Sequence, residues 1–597
     1  MSDTALSSYN YGGTDEENAE IRMASLELAC FALSPVDADQ DNFELWEKLL
    51  YACEALDGGL SRNSSPQAIA TMRNTYDRML LKFPLLFGYW KKYADFEFNI
   101  SGPEAAEMVY ERGCAGITNS VDLWTQHCTF KLETTHEPQP VRELFERAAE
   151  HVGLDFLAHP FWDKYLEYED RLEATENIFA ILKRIIQIPM HQYARYYERY
   201  RQLAQTRPIT ELAPEDVLSR VQAELEAEDP QFNSKTKFEI EAAIRAKMDV
   251  LSYETFAKTQ EETNKRWAFE SEIKRPYFHV TMLDHSQLAN WRKYLDFEEA
   301  SGDSARVAFL YERCLVTCAY YDEFWLRYGR WMSTQPGKDE DTRIIYLRAA
   351  TLFVPVSRPA IRLQFAYFEE SCGRVDIARA LHEAVLDTLP SSVETIVSLA
   401  SLERRQVGVE AAIEVLKRKL DEPEVDLFVK AVLVAEWAYL LWMAKGLVDD
   451  ARTVFSRNVE YYADSRQFWS KWLEFELAQP VITETGAAAP SDRVGNVIAE
   501  LRSRSRLSSA VKKELCEVYL AYLQQRGGKD SMKKYIEIDR EVFLPSSISK
   551  GSKLDQKDDH LPDLDATTQA KAEGRYQSFY EVYTEPDPVA QGPASFN

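Results

Sequence analysis

Basic and aromatic side chains are interleaved in one short stretch, residues 266–280, which reads RWAFESEIKRPYFHV. Such a stretch can hold single-stranded nucleic acid, because aromatic rings stack on bases while cations contact phosphates. It can equally be a structural joint, in which Trp267 and Phe269 anchor a core and Pro276 ends a helix. The formal net charge of the chain, −27 at pH 7, opposes non-specific adhesion to a phosphate backbone or an anionic membrane. Composition alone leaves both interpretations open.

Other residues with the potential for chemistry give weaker signals. Cys314 and Cys318 lie one helical turn apart, a spacing that favours two small core residues over a metal-binding pair. The acidic run DDHLPD at 558–563 lies in a polar segment and is typical of a solvated charge run. The sequence contains no P-loop, GxGxxG, HExxH or GxSxG motif. We therefore expect no catalytic residue, no cofactor and no metal ion, and a function that is not enzymatic.

One carboxylate recurs along the chain within the same local pattern. Four segments align without gaps: WKKYADFE at 90–97, WDKYLEYE at 162–169, WRKYLDFE at 291–298 and WSKWLEFE at 469–476. Looser copies begin at Trp46, Trp124 and Trp325. A catalytic group is not copied along a repeat array, so we interpret these carboxylates as structural.

A second pattern follows the first in each repeat. AAEMVYERGC at 105–114 and ARVAFLYERC at 305–314 share the triplet Y-E-R and have apolar residues at intervals of three and four, typical of an amphipathic helix. Short polar turns, such as NISGP at 99–103 and ASGD at 300–303, separate the two patterns. Each repeat is therefore predicted to be a helical hairpin, and the hairpins stack into a solenoid with one continuous core.

The last glutamate of each first-helix motif falls on the apolar side of its helix. Trp291 and Glu298, seven residues apart, share one helical stripe. A carboxylate on a buried stripe is costly unless it is paired. We predict that the Y-E-R arginine of the same repeat is its partner, so that Arg112 pairs with Glu97 and Arg313 with Glu298. The predicted structural anchors are Trp90, Glu97, Arg112, Trp162, Glu169, Trp291, Glu298, Arg313, Trp469 and Glu476.

The array is interrupted between Trp162 and Trp291. No glycine or proline occurs from Asn233 to Arg275, which predicts a long helix ending at Pro276. The predicted organisation is an acidic, partly disordered N-terminal segment (1–41), an N-terminal array (42–206), a loop plus long connecting helix (207–276), a C-terminal array (277–544) with a flexible insertion (480–495), and a disordered tail (545–597).

A helix with the pattern W-x-x-Y-x-x-x-E followed by a Y-E-R helix resembles the HAT (half-a-TPR) repeat. More narrowly, KFPLLFGYWKKYADFE (82–97), NKRWAFESEIKRPYFHV (264–280) and SLERR (401–405) resemble the pre-mRNA-processing factor 39 family of splicing factors. The resemblance extends from about residue 42 to about residue 480. It implies an all-α HAT solenoid in two arms joined by an irregular repeat and a long helix.

The family resemblance also implies a function. It is that of a nuclear, non-enzymatic scaffold in pre-mRNA splicing, which bridges components of the U1 small nuclear ribonucleoprotein and supports 5′ splice-site recognition. The expected partners are U1 proteins, and either a second copy of the chain or a paralogous HAT protein in a dimer, with RNA contact at most weak or indirect. No membrane partner is expected, because the longest apolar run, residues 432–443, is too short to span a bilayer and contains Glu436. Two alternatives stay open: a HAT scaffold of mRNA 3′-end cleavage and polyadenylation, and a helical-repeat protein that binds RNA directly.

Two C-terminal helical segments carry apolar stripes, VKKELCEVYLAYLQQ at 511–525 and MKKYIEIDREVF at 532–543. Such stripes indicate either a dimer interface or a cap on the end of the solenoid. The candidate interface residues are Val518, Tyr519, Tyr522, Leu523, Tyr535, Ile538 and Phe543.

The run RSRSR at 502–506 is the strongest candidate for a basic contact. It is typical of a weak, salt-sensitive RNA contact, of a small phosphorylation target, or of a solvated helix end. The candidate residues are Arg502, Arg504, Arg506, Lys512 and Lys513.

Overall fold

Helices and their connecting turns make up the structure. The computed structural model describes residues 10–32, 43–229, 232, 235–479, 493–527 and 530–543, without the side chains of 26–32 and 543. These residues form 27 α-helices and no β-strand.

The helices are α1 (Asp15–Ala32), α2 (Phe43–Glu54), α3 (Pro66–Lys82), α4 (Phe87–Ser101), α5 (Pro103–Gly116), α6 (Val121–Thr134), α7 (Pro138–Val152), α8 (His159–Arg171), α9 (Thr175–Ile185), α10 (Tyr193–Thr206), α11 (Ile209–Leu212), α12 (Glu215–Glu228), α13 (Lys237–Glu272), α14 (His285–Ser301), α15 (Ser304–Thr317), α16 (Asp322–Ser333), α17 (Asp339–Arg348), α18 (Ala360–Ser371), α19 (Val375–Thr388), α20 (Val393–Gln406), α21 (Val409–Asp421), α22 (Leu427–Tyr439), α23 (Val448–Tyr462), α24 (Arg466–Ala478), α25 (Arg493–Arg504), α26 (Ser509–Arg526) and α27 (Ser531–Phe543).

The predicted hairpins form, and local sequence sets their ends. Gly102 ends α4 at φ 96°, a left-handed conformation that favours glycine, and its N–H donates to the carbonyls of Glu97 and Phe98. Pro103 then starts α5, where its missing N–H costs no helical hydrogen bond. In the turn ASGD, Gly302 lies at φ 77° and the Asp303 carboxylate caps the first N–H groups of α15. These polar turns bring two amphipathic helices face to face.

The chain divides into two compact units, Met1–Gly408 and Val409–Asn597. In the first unit, one cluster of buried apolar residues extends from Leu50 to Phe365, so successive hairpins share a continuous core. In the second unit, a separate cluster extends from Ile413 to Leu523. Cys314 and Cys318 are small residues of the first core, and the cysteines whose side chains the structure describes are free thiols.

The long connecting helix is α13, of 36 residues. Thr236 and Glu239 form a capping box at its start, in which the threonine hydroxyl accepts from the Glu239 N–H and the glutamate accepts from the Thr236 N–H. The helix packs against α10, α11 and α12, which precede it in the chain, and against α14, which follows it. It therefore lies within the first unit and joins the helices that precede it to those that follow it.

The apolar segment Leu427–Ala444 is long and apolar enough to cross a membrane by length and composition alone. The core helix of a helical repeat meets the same criteria. Ala431, Val434 and Ala438 of this segment belong to the core of the second unit, together with Phe455 and Trp469 of α23 and α24.

Some predicted segments fall partly or wholly outside the described residues. The predicted tail, 545–597, lies outside them, as does most of the predicted insertion 480–495. Residues 493–495 are helical, because they form the first turn of α25. In the predicted loop at 207–216, Ile209–Leu212 forms the one-turn helix α11.

Candidate functional site

Buried glutamates on the first helices form ion pairs with arginines of the preceding second helices. The Arg266–Glu298 pair is the most buried, with side chains 3% and 2% exposed, and the guanidinium donates from both Nε (2.5 Å) and NH2 (3.0 Å). Such a bidentate contact fixes the guanidinium and the carboxylate in one geometry. The pairs of this kind are Arg73–Glu97, Arg142–Glu169, Arg266–Glu298, Arg343–Glu369, Arg379–Glu403 and Arg452–Glu476.

The prediction that Glu97 pairs with Arg112 and Glu298 with Arg313 is therefore wrong. Each glutamate faces the second helix of the preceding repeat and not that of its own repeat. Arg112 instead pairs with Asp77 at 2.7 Å. The geometric reason is that the Y-E-R arginine extends across the tryptophan of its own repeat, which places the guanidinium beyond reach of the glutamate.

These Y-E-R arginines and their counterparts form a second series of contacts. Arg112, for example, lies over the Trp90 ring at 5.6 Å from its centroid, and its guanidinium reaches an acid on the preceding second helix. The triplet therefore supplies an acid to the next repeat and an arginine to the previous one. The series comprises Arg112 with Trp90 and Asp77, Arg147 with Trp124 and Glu111, Arg184 with Trp162 and Glu146, Arg313 with Trp291 and Glu270, and Arg348 with Trp325 and Glu312.

The predicted tryptophan anchors lie in the core. Trp90 donates from Nε1 to the Pro84 carbonyl at 2.8 Å, and Trp469 donates to the Ala463 carbonyl at 2.8 Å. Each acceptor is six residues before its tryptophan, in the turn that enters the helix. Trp291 is equally buried, but its Nε1 has no hydrogen-bond partner within the described residues, because a helical turn that begins at His285 replaces that loop.

The stretch 266–280 belongs to the inter-repeat packing. Arg266 is buried on Glu298, and Phe269 stacks on Tyr294 with ring centroids 5.0 Å apart. The end of α13 thus acts as the second helix of a hairpin that precedes α14. Trp267 is not a core anchor: it is 51% exposed and packs on the ring of His191. The reason is geometric, since Trp267 lies roughly 160° around the helix from Phe269.

Arg313 ties three parts of the first unit together. Its Nε reaches Asp155, in the turn between α7 and α8, at 2.9 Å, and its terminal nitrogens donate to Glu270 of α13 at 2.5 and 2.8 Å. Burial alone would lower the pKa of the guanidinium, but Asp155 and Glu270 outweigh it and raise that pKa. The arginine is therefore charged, and removal of either acid would leave it only partly neutralised in the core.

Three of the candidate basic residues at the C-terminal end of the array form ion pairs or hydrogen bonds within the chain. Arg502 pairs with Glu541, Arg504 pairs with Glu500 at 2.7 Å, and the Lys512 ammonium donates to the Ser505 carbonyl at 2.6 Å. Arg506 is exposed and Lys513 is half-buried. Acidic neighbours thus neutralise part of this basic run.

The candidate dimer residues fall into two groups. Tyr519 and Leu523 are buried in the core of the second unit, whereas Val518 is 42% exposed. Tyr522, Tyr535 and Ile538 are half-buried against that core, and the side chain of Phe543 lies outside the described residues. The remaining exposed apolar residues nearby are Met532 and Ile536 on α27.

Two family models and a relative of high sequence identity match this chain. The model described as PRP39 N-terminal HAT repeat matches residues 32–202, and the model described as PRP39 C-terminal HAT repeat matches residues 264–405. Pre-mRNA-processing factor 39 of Schizosaccharomyces pombe is 47% identical over 539 residues, which cover 88% of each chain. This chain belongs to the pre-mRNA-processing factor 39 family. The resemblance seen in its motifs is thereby confirmed.

More distant relatives match a smaller part of the chain. The human protein of that name is 30% identical over 68% of this chain and 64% of its own length. The U1 small nuclear ribonucleoprotein component PRP42 of Saccharomyces cerevisiae is 25% identical over 48% of this chain and 54% of its own length. The two family models leave residues 203–263 unmatched, the segment that contains α11, α12 and most of α13.

A solved structure with a similar fold confirms the all-α HAT solenoid. The crystal structure of CSTF-77 matches with a TM-score of 0.53 and covers 84% of this chain and 96% of that chain. At 13% sequence identity, the similarity concerns the fold alone.

The arginines of the second helices, Arg73, Arg142 and Arg266 among them, were not predicted from the sequence. A signal for them was present, because each stands three residues before an aromatic residue in the pattern R-x-x-[YF]. That aromatic residue stacks on the ring three residues after the next tryptophan, as Phe145 does on Tyr165 at 4.6 Å. The pattern therefore marks the face that receives the following repeat.

Proposed function

We propose that this chain is a non-enzymatic scaffold in pre-mRNA splicing. It acts in the nucleus, where it bridges protein components of the U1 small nuclear ribonucleoprotein and supports recognition of the 5′ splice site. The observation that carries the proposal is the 47% identity to a pre-mRNA-processing factor 39 over 88% of the chain. The similarity to a relative that is named as a U1 component supports the choice of particle.

The packing of the repeats supports a scaffold over an RNA-binding surface. The arginines of the repeat motifs stack on tryptophans and pair with acids between helices, so their charges are used inside the array. Arg266, in the stretch that resembles a nucleic-acid site, is only 2% exposed. The net charge of −27 also opposes binding to the phosphates of RNA. Any RNA contact is then weak or indirect.

The second partner is another HAT chain, either a second copy or a paralogue. The apolar residues on α26 and α27 that remain exposed, Val518, Met532 and Ile536, supply the surface for it. A pair of scaffolds presents two sets of repeats, and binding two partners at once raises their effective local concentration.

Copurification tests the proposal. The tagged full chain is purified from nuclear extract under native conditions, and its associated RNA is sequenced while its proteins are identified by mass spectrometry. We expect U1 RNA and U1 proteins to be enriched over an untagged control. Recovery of 3′-end cleavage factors without U1 RNA would contradict the proposal and favour the other class of HAT scaffold.

A further inference from the structure

The repeat built on Trp124 differs from the others at three linked positions. His127 occupies the position of the tyrosine in the motif, three residues after the tryptophan. Lys131 occupies the position of the buried glutamate, and Glu107 occupies the position of its arginine partner, so the ion pair of this repeat has reversed polarity. The reversal places a carboxylate next to the imidazole, where other repeats place a cation.

Within the described residues, one buried nitrogen of the His127 imidazole has no hydrogen-bond partner. In two other repeats the tyrosine hydroxyl at this position donates to an acid of the preceding second helix, Tyr165 to Glu146 at 2.8 Å and Tyr294 to Glu270 at 2.9 Å. His127 stacks on Tyr110 in the same way as those tyrosines stack on their aromatic neighbours. An imidazole is shorter than a phenol, however, and has no hydroxyl group that extends toward the acid. Nδ1 lies 3.7 Å from the Cys114 sulfur, whereas Nε2 is buried and has no hydrogen-bond partner among the described residues. His127 itself is 0% exposed.

Two carboxylates of α5, those of Glu107 and Glu111, lie beside the His127 imidazole. Glu107 and Glu111 are one helical turn apart, and one oxygen of each lies within 4.8 Å of the other and of an imidazole nitrogen of His127. Both are half-buried. Glu107 uses one oxygen on Lys131 and Glu111 uses one on Arg147, each at 2.5 Å. Because a carboxylate has two oxygens, each retains one for a further ligand.

We propose that Glu107, Glu111 and His127 bind a divalent transition-metal ion of the Zn²⁺ class. One imidazole nitrogen and two carboxylate oxygens form a ligand set that Zn²⁺ accepts, and the nitrogen disfavours Mg²⁺ and Ca²⁺. The carboxylates would move slightly inward, since Zn²⁺ ligands lie at about 2.0–2.2 Å. Lys131 and Arg147 repel the ion, so the affinity is below that of a site without neighbouring cations. In the tautomer in which Nδ1–H donates to the Cys114 sulfur, Nε2 keeps its lone pair for the metal.

Such an ion would cross-link α5 to α6 between two consecutive repeats. It would lie where the tyrosine hydroxyl lies in other repeats. There it would connect the His127 imidazole to the Glu111 carboxylate. Binding to the folded state alone raises the apparent stability, so Zn²⁺ should raise the melting temperature of the full chain.

A zinc titration of matched variants tests the site. The full chain is freed of metal by chelation, and its affinity for ZnCl₂ is measured by calorimetry. His127→Tyr restores the aromatic residue of the other repeats and removes the nitrogen ligand, and Glu111→Gln removes a carboxylate. Glu312→Gln is the control, because Glu312 holds the same position as Glu111 and pairs with Arg348, but its neighbour at the position of His127 is Tyr328, with which it forms a hydrogen bond.

The expected result is a zinc site whose dissociation constant rises roughly tenfold or more in His127→Tyr and in Glu111→Gln, and stays unchanged in Glu312→Gln. Melting temperatures without metal verify that each variant is folded. If one of the two variants does not fold, the other decides the test, and Co²⁺ spectra report whether the remaining ligands are nitrogen and oxygen. Equal zinc affinity in the native chain and in either folded variant, or no zinc binding by the native chain, would overturn the proposal.

Discussion

A buried glutamate is stable in this array because its arginine comes from the neighbouring repeat. In the Arg73–Glu97 pair the carboxylate is 5% exposed and the guanidinium 40% exposed, so one end of the pair still contacts water. Partial hydration lowers the desolvation cost that a fully buried pair carries. The pair therefore fixes the register between repeats at moderate cost.

A double-mutant cycle identifies the true partner of Glu97. Glu97→Ala is combined with Arg73→Met and, separately, with Arg112→Met, and the free energies of unfolding are measured in urea. We expect a coupling energy of about 1–3 kcal/mol with Arg73, and a value within about 0.5 kcal/mol of zero with Arg112. A larger coupling with Arg112 would restore the partner predicted from the sequence.

Glu262, which forms an ion pair with the buried Arg266, contributes to the pH dependence of stability. Hydrogen bonds from Arg266 and then from Lys265 lower the pKa of Glu262 from 4.5 to about 2. Because this pKa is lower in the folded state, the carboxylate stabilises the fold above pH 4.5 and loses that contribution as the pH falls toward 2. The stability difference between the native chain and Glu262→Gln should therefore shrink as the pH is lowered from neutrality.

Thermal unfolding from neutral pH down to the acid limit of solubility measures this difference. Glu261→Gln serves as the control, since Glu261 is 68% exposed and forms its ion pair with Lys265, not with Arg266. It should keep the pH dependence of the native chain. A pH-independent gap between the native chain and Glu262→Gln would contradict the assignment.

At the residue scale, the sequence predicts that the motif glutamates are buried and paired with arginine, but not which arginine. Arg73 and Arg112 are both on second helices, and nothing in the spacing of a single repeat separates them. The choice depends on how one hairpin packs on the next. Comparison between repeats supplies the missing constraint: where Lys131 replaces the glutamate, Glu107 replaces the arginine of the preceding helix.

At the scale of the helical element, close approach within a hairpin depends on small residues. Gly329 of α16 faces Tyr346 of α17, and a Cβ atom added there would lie 2.6 Å from the ring. The ring is buried and stacks on Phe365, so it has little freedom to move. The first and second helices of this repeat can pack in this way because no side chain separates them.

Gly329→Ala should lower the free energy of unfolding by about 1–3 kcal/mol, the usual cost of overpacking. Gly88→Ala is the matched control, because Gly88 also lies in a helix but has no atom within 4 Å of the added Cβ. Since alanine favours a helix over glycine by about 0.5–1 kcal/mol, the control should be as stable as the native chain or slightly more stable. Urea denaturation of both variants measures the effect, and equal stabilities would contradict the packing argument.

The elements were predictable to different degrees. The long helix α13 follows from the absence of glycine and proline, and its start is marked by the capping box at Thr236. The N-terminal helix α1 was not predicted, because its acidic sequence has no clear helical stripe. The short helix α11 also escaped prediction, since one turn between prolines is too short to show a periodicity.

At the scale of the whole molecule, the division into units does not follow the interruption in the repeats. The predicted junction at 207–276 lies inside the first unit, because α13 packs against helices on both sides of it. The division after Gly408 has no counterpart in the motif spacing. It depends on how closely neighbouring helices pack within each unit, which the spacing of the motifs does not contain.

Self-association can be tested without damage to the core. Truncation from residue 511 would remove Tyr519 and Leu523 from the core of the second unit, so substitutions at exposed positions are preferable. If the chain forms a homodimer, Val518→Glu combined with Ile536→Glu should convert it to a monomer in light scattering at micromolar concentration. Met108→Glu, at a residue 68% exposed in the first unit, should remain dimeric. A native chain that is already monomeric would leave the paralogous partner as the alternative.

We propose that this chain reaches U1 RNA through proteins and not through its own surface. The tagged chain is recovered from ultraviolet-irradiated cells in two ways, under native conditions and under denaturing conditions that keep only covalently cross-linked RNA, and both RNA pools are sequenced. We expect U1 RNA in the native pool and its loss from the denatured pool. U1 RNA cross-linked to the chain in the denatured pool would contradict it.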